Sequence, residues 1–248
     1  MAPPEQTSRH TRTASLLLSF VAGYVDSSTY LALFGFFVAQ LTGSFVTVGA
    51  QVAQHERAIL LTIFARPTFV VAGMATTLLL TLVSDRRGSP LAWSLALEGA
   101  LLTAFFAVGT IGEPFDHPNA PLAVAAGLFG LSAMGVQSAA VQLITRGMPS
   151  TNVMTTNTTQ IAVLATQTLL AWRARTSARD DRAAAQLAST SERLKAVLRV
   201  AAGFLVGTIT GALVYSSMAL WALVMPIAII TGLLIWCAQT RAFAPNNP

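Results

Sequence analysis

Apolar stretches of membrane-spanning length follow one another along this chain, and they constrain its fold more than any single motif. A transmembrane helix needs roughly 20 mainly apolar residues. Windows of that kind fall at 14–34, 36–53, about 67–83 (with a start up to ten residues earlier), 91–111, 121–144, 148–172, about 196–215 and 218–237. Only 10% of the residues are charged and 54% are hydrophobic, whereas soluble domains carry roughly 25% charge. Such a chain cannot cover a water-facing surface. The expected fold is all-α, a polytopic transmembrane helical bundle seated in a lipid bilayer.

Charge then decides orientation. The net charge of +5 is nearly all arginine, with Lys195 the only lysine. The basic residues lie between apolar segments, so they are read as orientation signals and no nucleic-acid partner is expected. If all eight segments cross from a cytoplasmic amino terminus, Asp85-Arg86-Arg87 falls outside and the acidic Glu113–His117 loop inside. That reverses the usual bias towards basic cytoplasmic loops. If 36–53 and 148–172 dip in without crossing, Arg9, Arg12, Arg86, Arg87, the Arg173–Arg199 connection and Arg241 all become cytoplasmic. About six full spans plus two broken or re-entrant segments is therefore the expected topology. It divides the one membrane domain into a cytoplasmic polar stretch 1–13, a first repeat 14–112, an external loop 113–120 and a second repeat 121–239. The second repeat contains a basic cytoplasmic loop 173–193, and a tail follows at 240–248. The polar start and first apolar run resemble a signal peptide, but with so many apolar segments following, the first is read as a retained span.

The two exceptional segments are polar where a span should not be. Thr42-Gly43-Ser44 breaks the second, and Pro149, Ser150, Thr151 and Asn152 crowd the sixth. Unsatisfied polar groups cost several kcal/mol each in hydrocarbon, so such sequence survives there only when buried in protein or lining a wet cavity. For the sixth, the plainer alternative is an ordinary helix whose Ser and Thr hydroxyls bond back to its own backbone.

The halves can also be overlaid. Asp26-Ser27 matches Gln137-Ser138, Thr42-Gly43-Ser44 matches Thr155-Thr156-Asn157, Gly73 matches Gly207, and Trp93 matches Trp221, placing Glu98 opposite Pro226. With three crossings per half the repeats have opposite orientations, a common plan among secondary transporters. Gly23-x-x-Asp26 with Thr42-Gly43-Ser44, then Gly135-x-Gln137-Ser138 and the run Thr151–Thr159, resembles the YoaK-like bacterial membrane proteins over about Leu16 to Trp236. Members usually read Thr-Gly-Asn at 42–44 and often Thr-Gly at 155–156, so this chain departs there. The resemblance implies about six transmembrane helices, a location in the bacterial cytoplasmic membrane and transport of small molecules; the loop charges place both termini in the cytoplasm.

Asp26 is the sharpest candidate for chemistry. On a helix it shares a face with Ala22, Gly23, Thr29 and Tyr30. A lone carboxylate is costly when charged in a membrane interior, so it could carry a proton coupled to transport. The structural alternative is an Asp held by Thr42 or by the second segment. Gln137 beside Ser138 can donate and accept but cannot titrate, and it could instead be interhelical glue worth about 0.6 kcal/mol. Thr42, Gly43 and Ser44, with Thr155, Thr156 and Asn157, are read as half-helix tips whose backbone N–H groups could hold a polar or anionic group. The alternative for them is close packing through small residues. Glu98 is a second proton carrier, or a partner for Arg66 or Arg146. Gly203-x-x-x-Gly207-x-x-x-Gly211 is a close-packing stripe. No metal-ligand spacing, phosphate-cradling loop or nucleophile–base pair is present in the sequence, and Cys237 is alone, so no enzyme activity, metal or cofactor is expected. The reading is a secondary transporter for a small molecule, proton-coupled through Asp26 and able to form a homo-oligomer. A passive channel or facilitator and a non-transporting scaffold are the alternatives.

Overall fold

A computed structural model describes residues 4–40, 43, 46, 49–50, 53, 60–84, 89–144, 149–151, 153–178 and 181–240. The described helices are α1 (Pro4–Ala32), α2 (Leu60–Ser84), α3 (Pro90–Gly112), α4 (Pro121–Ile144), α5 (Met154–Ala178), α6 (Asp181–Met218) and α7 (Val224–Thr240), with a 3-10 segment at Ala219–Leu223. No strand occurs among the described residues. Among the described residues four stretches are long and apolar enough to cross a membrane: Leu60–Val83, Pro90–Gly112, Pro121–Ile144 and Arg182–Thr240. Residues 85–88, 145–148 and 241–248, which hold Arg86, Arg87, Arg146 and Arg241, lie outside the described residues, as do Thr42 and Ser44.

The helix boundaries have local causes. Proline opens α3 and α4, where its missing N–H is no loss and its φ is already helical. α1 ends as Phe34 and Gly35 take positive φ and Gly35 N–H donates to Tyr30 O at 2.9 Å, a closure that turns the chain back on itself. At the other break Ala219 has φ 51°. Glu113 closes that break: its Oε1 accepts from Tyr215 Oη at 2.9 Å and its Oε2 from Leu220 N–H at 3.2 Å. Several boundaries differ from the apolar windows. α1 begins earlier, at Pro4, and α6 at Asp181, because polar turns add helix without adding hydropathy, whereas α5 begins later, at Met154, and α7 at Val224, after the 3-10 segment.

Burial sorts the faces. Leu91, Leu95, Leu102 and Phe105 recur at helical spacing on the inner face of α3 and are buried; they join Leu131, Met134, Leu220, Leu223 and Ile230 in the core. Val71, Met74, Leu78 and Leu82 of α2 and Leu205, Ile209 and Leu213 of α6 point outward, as surfaces meeting acyl chains must.

Helix directions follow from close approaches. α1 and α6 are parallel: Cβ atoms placed on Gly203, Gly207 and Gly211 would meet Leu16 O, Phe20 O and Tyr24 O at 2.9, 2.1 and 2.5 Å. α2 and α4 are parallel too, with Leu61 against Gly127, Phe69 against Gly135 and Gly73 against Ala139. α3 is antiparallel to α4, through Phe105 on Gly130 and Leu122 on Gly112. It is also antiparallel to α7 and its 3-10 lead-in, through Ile230 on Gly99 and Leu220 on Gly109. α1 is antiparallel to α4, because Leu33 reaches Gly127 while Gln137 reaches Leu18. Leu33 and Leu61 thus both approach Gly127, so the chain leaves α1 and enters α2 at one level of the bundle.

Candidate functional site

Two polar centres sit inside this frame, one in each half. In the first, Asp26 is 2% exposed. Once Phe34 and Gly35 have reversed the chain, its Oδ1 accepts the N–H groups of Val38 at 2.9 Å and Ala39 at 2.8 Å, and the Gln40 side chain bonds to the same carboxylate. Charge-assisted bonds of this kind are the strong ones, and here they tie the segment after α1 back onto α1. Of the neighbours expected to share the site, Thr29 is buried but bonds its own helix at Val25 O. Tyr30 is exposed and packs its ring on Phe37 at 4.7 Å. Gly43 is helical and exposed, with open space where a Cβ would stand.

In the second centre, Gln137 is 1% exposed. Its Nε2 donates to Leu18 O at 2.8 Å and to Thr151 Oγ1 at 3.1 Å. Ser19 Oγ lies 2.6 Å from Val200 O and 3.2 Å from Thr151 O, so α1, α4, α6 and the lead-in to α5 meet at Thr151. Asn157, buried in the first turns of α5, donates from Nδ2 to Ser150 O at 2.6 Å. Asp26 and Gln137, matched in the sequence overlay, do equivalent work: each grips the stretch that follows its own helix.

The centres differ in what they leave over. Asp26 Oδ1 is satisfied, whereas Gln137 Oε1 and Asn157 Oδ1 are buried with no hydrogen-bond partner. Glu98 Oε1 is buried likewise, on the inner face of α3 between Leu95 and Leu102, and Glu98 pairs with neither Arg66 nor any other described cation. Buried acceptors without donors are uncommon, and each calls for an explanation.

The remaining candidates fall elsewhere. Thr155 and Thr156 are exposed at the start of α5. Further along α5, Thr158, Thr159 and Thr166 donate back to Met154 O, Thr155 O and Ala162 O, the back-bonding of an ordinary helix. Ser138 is buried and lines a groove of about 680 Å³ between α2 and α4. Sequence reasoning did not single out Ser19, Thr151 as a hub, or Glu113 as a clasp. A lone Ser or Thr in an apolar helix carries no signal of its own. Among the described residues no three His, Cys, Asp or Glu side chains converge as metal ligands would.

Long apolar helices with apolar outer faces, around an apolar core that holds two buried polar centres, define an α-helical membrane protein. Over residues 14–236 the chain matches the family described as a protein of unknown function (DUF1275), and it belongs to that family. No curated protein and no solved structure matches it.

Proposed function

We propose that the protein is a secondary transporter moving a small molecule across the bacterial cytoplasmic membrane, with its polar centre where two inverted repeats meet, and that it is not an enzyme. The observation that carries this reading is the set of buried oxygens without donors at Gln137, Asn157 and Glu98. A core that only holds helices together closes its polar groups on one another. A site that takes and releases a ligand keeps a few oriented polar groups in hand within apolar walls.

Helix direction supports the inverted repeat. α1, α3 and α6 run one way, and α2, α4 and α7 the other. Six crossings produce that alternation, whereas eight would leave α3 and α7 parallel. The common level of Leu33 and Leu61 fits a re-entrant stretch between α1 and α2. The first helix of each half also lies beside the second full span of the other half and parallel to it, as a two-fold axis in the membrane plane requires. Membrane-impermeant labelling of single cysteines, in a background lacking Cys237, should find position 86 protected from outside in intact cells and position 116 accessible. The reverse pattern would overturn the six-span arrangement and the inverted repeat with it.

The functional test is a tracer-uptake screen of small solutes in proteoliposomes. Uptake that rises with an imposed pH gradient supports a coupled transporter, and the Gln137→Leu variant should lose at least about tenfold, the loss expected from removing about 1.4 kcal/mol of substrate interaction. Equal uptake with and without the gradient makes the protein a passive facilitator. No uptake across the screen, from protein that is inserted and folded, leaves the scaffold reading.

A further inference from the structure

Glu98 and Gln137 belong to different helices, each with a buried oxygen that no donor reaches, and the helix register sets them opposite each other. Phe105 of α3 meets Gly130 of α4, with its Cδ1 3.4 Å from where a Cβ would stand. The antiparallel pairing is confirmed further on, where Leu122 meets Gly112. Two helical turns along from the Phe105–Gly130 contact, the same inner faces come round again. In α3 that position is Glu98 and in α4 it is Gln137. Both side chains are 1% exposed. Gln137 has spent its amide N–H groups on Leu18 O and Thr151 Oγ1, so it turns an acceptor, Oε1, to its surroundings. Glu98, when ionised, also offers only acceptors. Two acceptors on facing inner surfaces lack a donor between them.

We propose that Glu98 and Gln137 form a proton-binding site between α3 and α4, with the protonated Glu98 carboxyl donating its O–H to Gln137 Oε1. One proton, delivered by hydronium that reverts to water, satisfies both oxygens. A metal ion is a poor occupant, since hard cations take about six or more oxygens and the flanking side chains are Leu95, Leu102, Ala133, Met134, Ala140 and Val141. Ser94 is committed to Leu91 O. On the elements packed against α3, the titratable or charged side chains are Arg66 of α2 and Cys237 of α7; α4 and the 3-10 segment carry none. The proton would therefore answer to the Glu98–Gln137 contact itself, and it separates the two carboxyl groups of the transport reading. Asp26, held by backbone donors, is the structural one, and Glu98 is the one that exchanges a proton. The coupling role rests on the transport reading; the site does not.

Infrared difference spectroscopy across a pH step, on the full chain in liposomes, tests this. The wild type should show a carbonyl band of a protonated carboxyl in apolar surroundings. That band should move when glutamate is supplied with a ¹³C-labelled side-chain carboxyl. It should vanish in Glu98→Gln, shift to higher frequency in Gln137→Leu as its hydrogen bond is lost, and persist in Asp26→Asn. If Glu98→Gln fails to fold, the isotope shift and Gln137→Leu carry the test alone. A wild type without the band, a band untouched by glutamate labelling, or one unmoved by Gln137→Leu overturns the proposal. Failure of all uptake with the band in place would remove the transport reading and leave the proton site standing.

Discussion

The α1–α6 and α2–α4 pairs are built on one plan and end differently. Both are parallel, and both join the first helix of one half to the second full span of the other. Overlaying Gly73 on Gly207 sets Phe69 opposite Gly203 and Thr77 opposite Gly211. On α6 three glycines in one stripe let the α1 backbone come into contact, and Gly23 of α1 answers by lying against Phe204 O. On α2 a single glycine is flanked by Phe69 and Thr77; the backbones approach at Gly135, where a Cβ would stand 3.0 Å from Phe69 O, and part at Gly73, where a Cβ would find only Ala139 Cβ at 3.9 Å. The 680 Å³ groove opens there, lined by Phe69, Gly73, Thr77, Ser138, Ala139 and Gln142 among others. Without a hydrophobic force between helices in lipid, close backbone approach is the main source of cohesion. The first pair is thus a fixed strut, and the second has room to move or to be filled.

The largest expected effect follows directly. Gly207→Val would drive a Cβ to 2.1 Å from Phe20 O, a backbone atom that cannot step aside. Overpacking against side chains costs roughly 1–3 kcal/mol and sometimes more, so a backbone clash should exceed about 3 kcal/mol and abolish recovery of folded protein. Gly73→Val, whose nearest neighbour is Ala139 Cβ at 3.9 Å, should stay within about 1 kcal/mol of wild type, the scale of a helical glycine replacement. Apparent melting midpoints in detergent compare them. Equal losses at the two positions would mean that the groove is as rigid as the seam.

Next comes the asymmetry of the two polar clamps. Asp26→Ala strands the N–H groups of Val38 and Ala39 inside the protein, and a buried unsatisfied donor costs about 1–3 kcal/mol. A loss of roughly 2–4 kcal/mol is expected, with Asp26→Asn much milder because an amide oxygen still accepts. Gln137→Ala removes two donated bonds but also an orphaned acceptor, so its loss should be nearer 1 kcal/mol. If Gln137→Ala proved the more damaging, its site would be structural and the transport reading would lose its centre.

Much of this was legible in the residues because the determining signal was local. The ends of α3 and α4 lie within a residue of their apolar windows, since proline marks each start and hydropathy stops at each finish. The glycine stripe announced a close contact, and the overlay paired Asp26 with Gln137, though as a substrate and proton site and not as clamps. What could not be read depended on partners distant in sequence. Asp26 reads in the sequence as a proton carrier or as an Asp held by Thr42 or the second segment, and the residues alone do not show that Val38 and Ala39 are the groups that fold back onto it. Glu113 looked like a loop charge, yet it clasps Tyr215 and Leu220 across the bundle. Thr151 and Ser19 are ordinary hydroxyl residues until α1, α4 and α6 converge on them. The helical extensions before residue 14 and after Asp181 carry no apolar pattern, because they run beyond the apolar core.

Those extensions supply the smallest effect, and it bears on what holds the strut. Arg12 pairs with Glu192 at 3.2 Å, and Lys195 reaches the same carboxylate at 3.0 Å, continuing the α1–α6 contact past its glycines. These side chains are about half exposed, where solvent and salt screen an ion pair and side-chain entropy opposes it. Glu192→Gln should therefore leave the melting midpoint within experimental error at moderate salt, and raising the salt should not separate the variant from wild type. A drop comparable to that of Gly207→Val would mean that charge at the helix ends, rather than backbone contact along Gly203–Gly211, joins α1 to α6. The contrast with the open α2–α4 groove would then come from the missing ion pair and not from the missing glycines. Swapping Phe69 and Thr77 for glycine tests the same point from the other side: if backbone contact decides, that double variant should narrow the groove without any added charge.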